Sequence, residues 1–108
     1  MSADVWVFTD IGDGVEHQWA SLNVTYNLSE MLAEAGFGRW RERESDSAQS
    51  FGERIRLLIN ELESRPDHYA RFDSPNGWGT LADLLPALRE FHAAVPWHRT
   101  DLQLGWWL

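Results

Sequence analysis

The chain of 108 residues contains no cysteine and no lysine. Without cysteine, disulfides and thiolate zinc sites are excluded, which is in keeping with a cytoplasmic location. No apolar run approaches the ~18 residues of a membrane-spanning helix, and Met1-Ser2-Ala3-Asp4 lacks the basic flank and apolar stretch of a signal peptide. A cytoplasmic protein with no membrane contact is expected. Two glycosylation sequons, Asn23-Val24-Thr25 and Asn27-Leu28-Ser29, then read as chance matches. Basic charge is missing from the first third of the chain: residues 1 to 38 hold Asp4, Asp10, Asp13, Glu16, Glu30 and Glu34 but no Arg. All nine basic residues are Arg and lie further on, within a net charge of −8. An acidic N-terminal part opposes a nucleic-acid grip, which relies on basic side chains displacing phosphate counterions. It suits a basic protein partner or a mimic of DNA charge, while solubility alone also accounts for such charge.

Motifs that carry chemistry are also absent. His17, His68, His92 and His98 form no HxxxH or HExxH pattern, so no metal site is expected. Asp10-Ile11-Gly12-Asp13-Gly14 lacks the ligand spacing and closing Glu of a calcium loop and reads as a turn. No serine sits in a GxSxG elbow or SxxK motif, and no phosphate-binding glycine loop is present. Carboxylate pairs for glycoside chemistry are available among 17 acids, but abundance alone singles out none. The sequence therefore offers no catalytic residues, no cofactor and no enzyme assignment.

What remains is an ordinary apolar content of 44% in a length that suits one domain, 1–108, burying roughly two thirds of its unfolded surface. Asp4 to Thr9 reads as a strand, the Asp/Gly cluster after it as a hairpin turn, and the alternation of Leu22, Val24 and Tyr26 with polar neighbours as a second strand over 18–26. Asn27 and Glu30 have capping-box spacing for a helix over 28–35, stopped at Gly36. Phe51, Ile55, Leu58, Ile59 and Leu62 form one helical stripe over 48–64, with Ser50 and Glu53 as a capping pair. Pro66 opens a short helix to Phe72. Thr80 and Asp83 cap a helix over 80–94, in which Pro86 predicts a kink or a separated first turn. Leu102, Leu104, Trp106 and Leu108 alternate as a closing strand. The expected fold is α+β: a three-stranded, mainly antiparallel sheet from the N-terminal hairpin and C-terminal strand, packed against three main helices.

Seven tryptophans are many for this length. If Val5 and Val7 share the covered face with Leu22, Val24, Tyr26, Leu104 and Trp106, then Trp6, Phe8, Trp19 and Trp107 occupy the other. Exposed aromatic surface of that kind marks an interface for a partner or a homodimer. The competing reading is that the register is reversed, or that the Arg-rich stretch 37–46 covers this face, with Trp40 and Arg guanidinium groups stacking there. The segment Pro75-Asn76-Gly77-Trp78-Gly79 frames a tryptophan with glycines. There Trp78 plugs the end of the core, or else stacks on a ligand in a pocket shared with Tyr26, Asn27 and Asn76.

Thr25-Tyr26-Asn27-Leu28-Ser29-Glu30-Met31, the stretch from Pro66 to Phe72, the Pro75 to Gly79 loop and the Leu-rich helix after it together resemble a family of small actinobacterial and actinobacteriophage proteins. Its members share a YN(L/V)(S/T)PM helix start, an NPxNGWG loop and a closing strand, and the likeness covers nearly the whole chain. This sequence departs in having Glu30 for the proline, Asp73-Ser74-Pro75 before the loop and His92 to Val95 at a helix end that carries Cys in the family. The resemblance implies no activity, and it agrees with the GC-rich genome that an all-Arg composition suggests. The function expected is a small non-enzymatic protein-binding module, with a small-molecule binder, or less readily an enzyme, using the Trp78 pocket as the alternative.

Overall fold

A computed structural model describes residues 2–108. Strand β1 (Ser2–Gly12) pairs antiparallel with β2 (Val15–Thr25) on one side and with β3 (Gln103–Trp107) on the other, giving the sheet order β2-β1-β3. Five helices lie between β2 and β3: α1 (Ser29–Glu34), α2 (Trp40–Arg43), α3 (Ala48–Ser64), α4 (Pro66–Ala70) and α5 (Leu81–Ala94). The fold is α+β, an open antiparallel sheet with helices packed on one face.

The hairpin closes through Asp13 and Gly14, both at positive φ (54° and 75°), the handedness that matches the twist of the flanking strands. Both strands are longer than their apolar stretches, since the backbone ladder continues through Asp10↔Glu16 and Gly12↔Val15 after the core has ended. β3 pairs only with Asp4 to Phe8, so the far half of the hairpin projects with Ile11 and Val15 exposed.

Local capping differs from expectation at two helices. Thr25, not Asn27, opens the 3₁₀ turn Tyr26–Leu28 that leads into α1, accepting from the Asn27 amide at 3.4 Å, while the Asn27 side chain bonds elsewhere. α3 is capped by Ser47, whose hydroxyl accepts from the Ser50 amide at 3.1 Å, and Glu53 instead pairs with Arg56 one turn on. The other two signals hold. Gly36 (φ 85°) ends α1, with the Gly36 and Phe37 amides returning to the Ala33 and Leu32 carbonyls, the pairing that satisfies a helix C-terminus. Thr80 accepts from the Asp83 amide at 3.2 Å to start α5. That helix runs through Pro86 as one continuous element; Ala82 and Pro86 are both exposed, so the carbonyl freed by the proline opens to water.

The core lies between the sheet and α3 and α5. Val5 and Val7 of the central strand are 1% and 0% exposed and face Phe51, Ile55, Leu88 and Phe91 from the helices. Tyr69 of α4 is buried beside α3, with its hydroxyl donating to the Glu61 carboxylate; burial, then that bond, pushes the phenol up to about 12. Trp97 closes the open end of the helix pair, its Nε1 donating to the His92 carbonyl at 2.9 Å.

Candidate functional site

Because β1 is flanked on both edges and covered on one side, its alternate residues divide cleanly. Ala3, Val5, Val7 and Thr9 are buried; Ser2, Asp4, Trp6 and Phe8 are half-buried and point away from the helices. At about 3.4 Å per residue, Asp4, Trp6, Phe8 and Asp10 mark a stripe roughly 20 Å long down the middle of the outer face. Trp107 stands beside Asp4 on β3 and is 73% exposed. Cross-strand register also puts Trp6 opposite Gly105, and the indole lies over that glycine: a Cβ on residue 105 would sit 2.1 Å from Trp6 Cε2. The glycine lets the ring lie flat along the edge strand, shielding backbone that would otherwise be bare.

Polar groups around this stripe are acidic or neutral. Asn23 donates to Asp4 at 2.7 Å and to the Ser2 hydroxyl at 3.0 Å, holding the near end together. At the far end Asp10 and Glu16 oppose each other across the ladder with no base between them. Like charges so placed repel.

Trp19 does not join this surface. Register slips between Val7↔Ala20 and Phe8↔Gln18, which leaves Trp19 as the extra residue of a bulge. Its ring meets His17 edge-on at 4.4 Å, lies under the Arg99 guanidinium at 5.4 Å, and lines a cavity of about 370 Å³ with Ala87, Glu90 and Phe91 of α5. The expectation of a shared face assumed strict alternation along β2, and one inserted residue turns the side chain to the helix side. The stretch 37–46 is on that side as well. Trp40 is 5% exposed and packs against Phe37 and Trp106, with ring centroids 5.0 and 6.1 Å away, so it anchors the inner layer and leaves the outer aromatics uncovered.

The glycine-framed loop is arranged differently from a core plug. Trp78 is 74% exposed. What is buried is Gly79, against Thr25, Asn27 and Leu28, where a Cβ would come within 3.0 Å of Thr25. Asn76 Oδ1 accepts from the Ser74 hydroxyl and the Trp78 amide, and Asn27 Nδ2 donates to the Trp78 carbonyl at 2.8 Å. The loop is thus fastened through backbone, and the indole is left standing at the edge of a shallow groove of about 210 Å³ lined by Asn23, Leu28, Asp83 and Leu84. Tyr26 faces away from this groove, toward a larger cavity beside α2. Of the four residues expected to share a pocket, Asn27, Asn76 and Trp78 are brought together and Tyr26 is not.

Compared with protein-family models, curated proteins and solved structures, the chain finds no significant match.

Among the described residues, no three His, Asp or Glu side chains gather as metal ligands. His92 is half-buried, and burial, with Arg56 adding to it, holds its imidazole below the ordinary histidine value. It stacks on Trp97 as part of the packing. Alternating Arg and Glu over 39–44 has the pattern of a solvated connection, which hides from the sequence the larger cavity lined by Arg39 and Arg41. The Arg-Trp-Arg run at 39–41, with a tryptophan that has to be buried between two charges, was the signal available.

Proposed function

We propose that this chain is a small non-enzymatic binding module of a bacterial or phage cytoplasm. It docks a protein with a basic surface onto the outer face of its sheet. One observation carries the reading: Trp6, Phe8 and Trp107 stand on the sheet face opposite the helices, with Asp4, Asp10 and Glu16 on the same face and no basic side chain among the paired outer positions. Aromatic side chains supply large contact area at low entropic cost, and charge of one sign around them selects a partner of the other. Asp10 and Glu16, opposite each other in the ladder, add negative charge at the far end of this face that a cationic partner would meet. A second copy is the other form of the same idea, through this face or a free edge strand, and in a phage protein such docking would serve to inhibit or modulate a host protein.

The alternative, a small molecule stacked on Trp78, has the exposed indole and its groove in its favour. Capture of partners from native-host extract on immobilised wild type, Trp107→Ala and Trp78→Ala separates the two. Loss of a partner on Trp107→Ala alone supports sheet-face docking; loss on Trp78→Ala alone supports the loop. Light scattering of the pure protein reads self-association, and a strict monomer rules out the second copy.

A further inference from the structure

The largest cavity described lies between α1, α2 and the end of β3, with a volume of about 490 Å³, within the range that takes small organic ligands. It reaches the core, since Leu32 and Trp40 line it although 1% and 5% of each is exposed. Tyr26 and Leu108 add further apolar wall. The polar part of the lining is unusual for this protein. Arg39 and Arg41 are both on it, and among the described residues neither makes an ion pair. Six of the nine arginines, Arg43, Arg54, Arg56, Arg65, Arg89 and Arg99, are paired with carboxylates. In a chain of net charge −8, two arginines on the lining of one cavity, without a carboxylate partner among the described residues, make a local positive site. The nearby carboxylate of Glu42 is already engaged, accepting from the Arg39 amide at 3.2 Å and lying 3.9 Å from Arg43. The Tyr26 hydroxyl has no partner among the described residues and is available to donate, while Ser29 donates to the Tyr26 carbonyl at 2.8 Å and retains only acceptor capacity.

We propose that this cavity binds a small aromatic carboxylate, with the carboxylate held by Arg39 and Arg41 and the ring laid against Tyr26, Leu32 and Trp40. Guanidinium groups match a carboxylate in charge and planar geometry, and the apolar wall gives a flat body a place to leave water. The site is separate from the outer sheet face, so it stands or falls independently of partner docking.

The test uses the whole protein labelled with ¹⁵N and three probes: 2-naphthoate, the uncharged 2-naphthalenemethanol and inorganic phosphate. Naphthoate is expected to shift the Gly38 and Arg41 amides and the Trp40 indole resonance saturably, with Kd below about 1 mM. The alcohol and phosphate should each bind at least about tenfold more weakly, and so should naphthoate with Arg39→Gln/Arg41→Gln, whose side chains are exposed and removable without opening the core. Arg71→Gln, at an arginine outside the cavity that makes no ion pair among the described residues, should leave binding unchanged. Equal affinity for the alcohol or for phosphate, undiminished binding by the double variant, equal loss with Arg71→Gln, or no saturable shift would overturn the proposal.

Discussion

Gly105→Ala isolates the contact on which the outer face is built. A glycine in a strand costs roughly 0.5–1 kcal/mol of conformational entropy relative to alanine, so on propensity alone the change stabilises. The structure reverses that sign. The new methyl would lie 2.1 Å from Trp6 Cε2 and 2.3 Å from Nε1, so the indole must move by more than about 1 Å to restore normal carbon contacts near 3.5 Å. Forcing side chains off their packed positions costs about 1–3 kcal/mol, which outweighs the propensity gain and leaves a net loss of roughly 1 kcal/mol. Urea unfolding followed by far-ultraviolet circular dichroism measures it, with a lower midpoint and an unchanged slope expected. The same substitution in a Trp6→Ala background meets no ring and should be neutral or stabilising by up to about 1 kcal/mol. A higher midpoint for Gly105→Ala with Trp6 present, or the same change in both backgrounds, would refute the placement of the indole over residue 105.

Three further outcomes are expected. Glu16→Thr relieves the repulsion with Asp10 and should raise stability by about 0.3 kcal/mol at low salt, an increment that shrinks as salt screens the pair; denaturation midpoints at two ionic strengths report it. Trp78→Ala should change the unfolding midpoint little, whereas Asn27→Ala, which removes the bond to the Trp78 carbonyl, should cost about 1 kcal/mol; a larger loss for Trp78→Ala would restore the indole to the core. Burial, then the bond to Glu61, pushes the Tyr69 phenol up to about 12 from its ordinary 10.0, so the unfolded chain releases the phenolic proton first. Its contribution is complete below pH 10.0 and is lost as pH rises toward about 12; Tyr69→Phe should remove that alkaline slope, and an identical slope in the variant would contradict the Tyr69 environment described.

Periodicity made most of the fold legible. The stripe from Phe51 to Leu62 and the alternation at Val5 and Val7 both report burial that one face of an element imposes, and both are buried as expected. Side chains whose partners are remote in sequence were harder to read. Asn27 has the spacing of a cap, yet it meets the Trp78 carbonyl, and nothing local distinguishes the two uses. Trp19 illustrates a different limit: a bulge moves one residue out of alternation, and the register of a hairpin is set by turn and partner strand together. The glycine-framed Trp78 marks a loop that is fastened through its backbone, and not a plug of the core. The tight glycine is Gly79, however, and its burial leaves the neighbouring indole outside.

The central claim is that the sheet-face aromatics bind a protein. Quantitative affinity capture from native-host extract, comparing wild type with Trp107→Ala at matched folded concentration, tests it most directly, because Trp107 is 73% exposed and its removal leaves the core intact. The account predicts a specific protein retained by wild type and by Trp78→Ala and lost on Trp107→Ala. Retention unaffected by Trp107→Ala, or no specific protein captured by a wild-type chain that is itself monomeric, would contradict it.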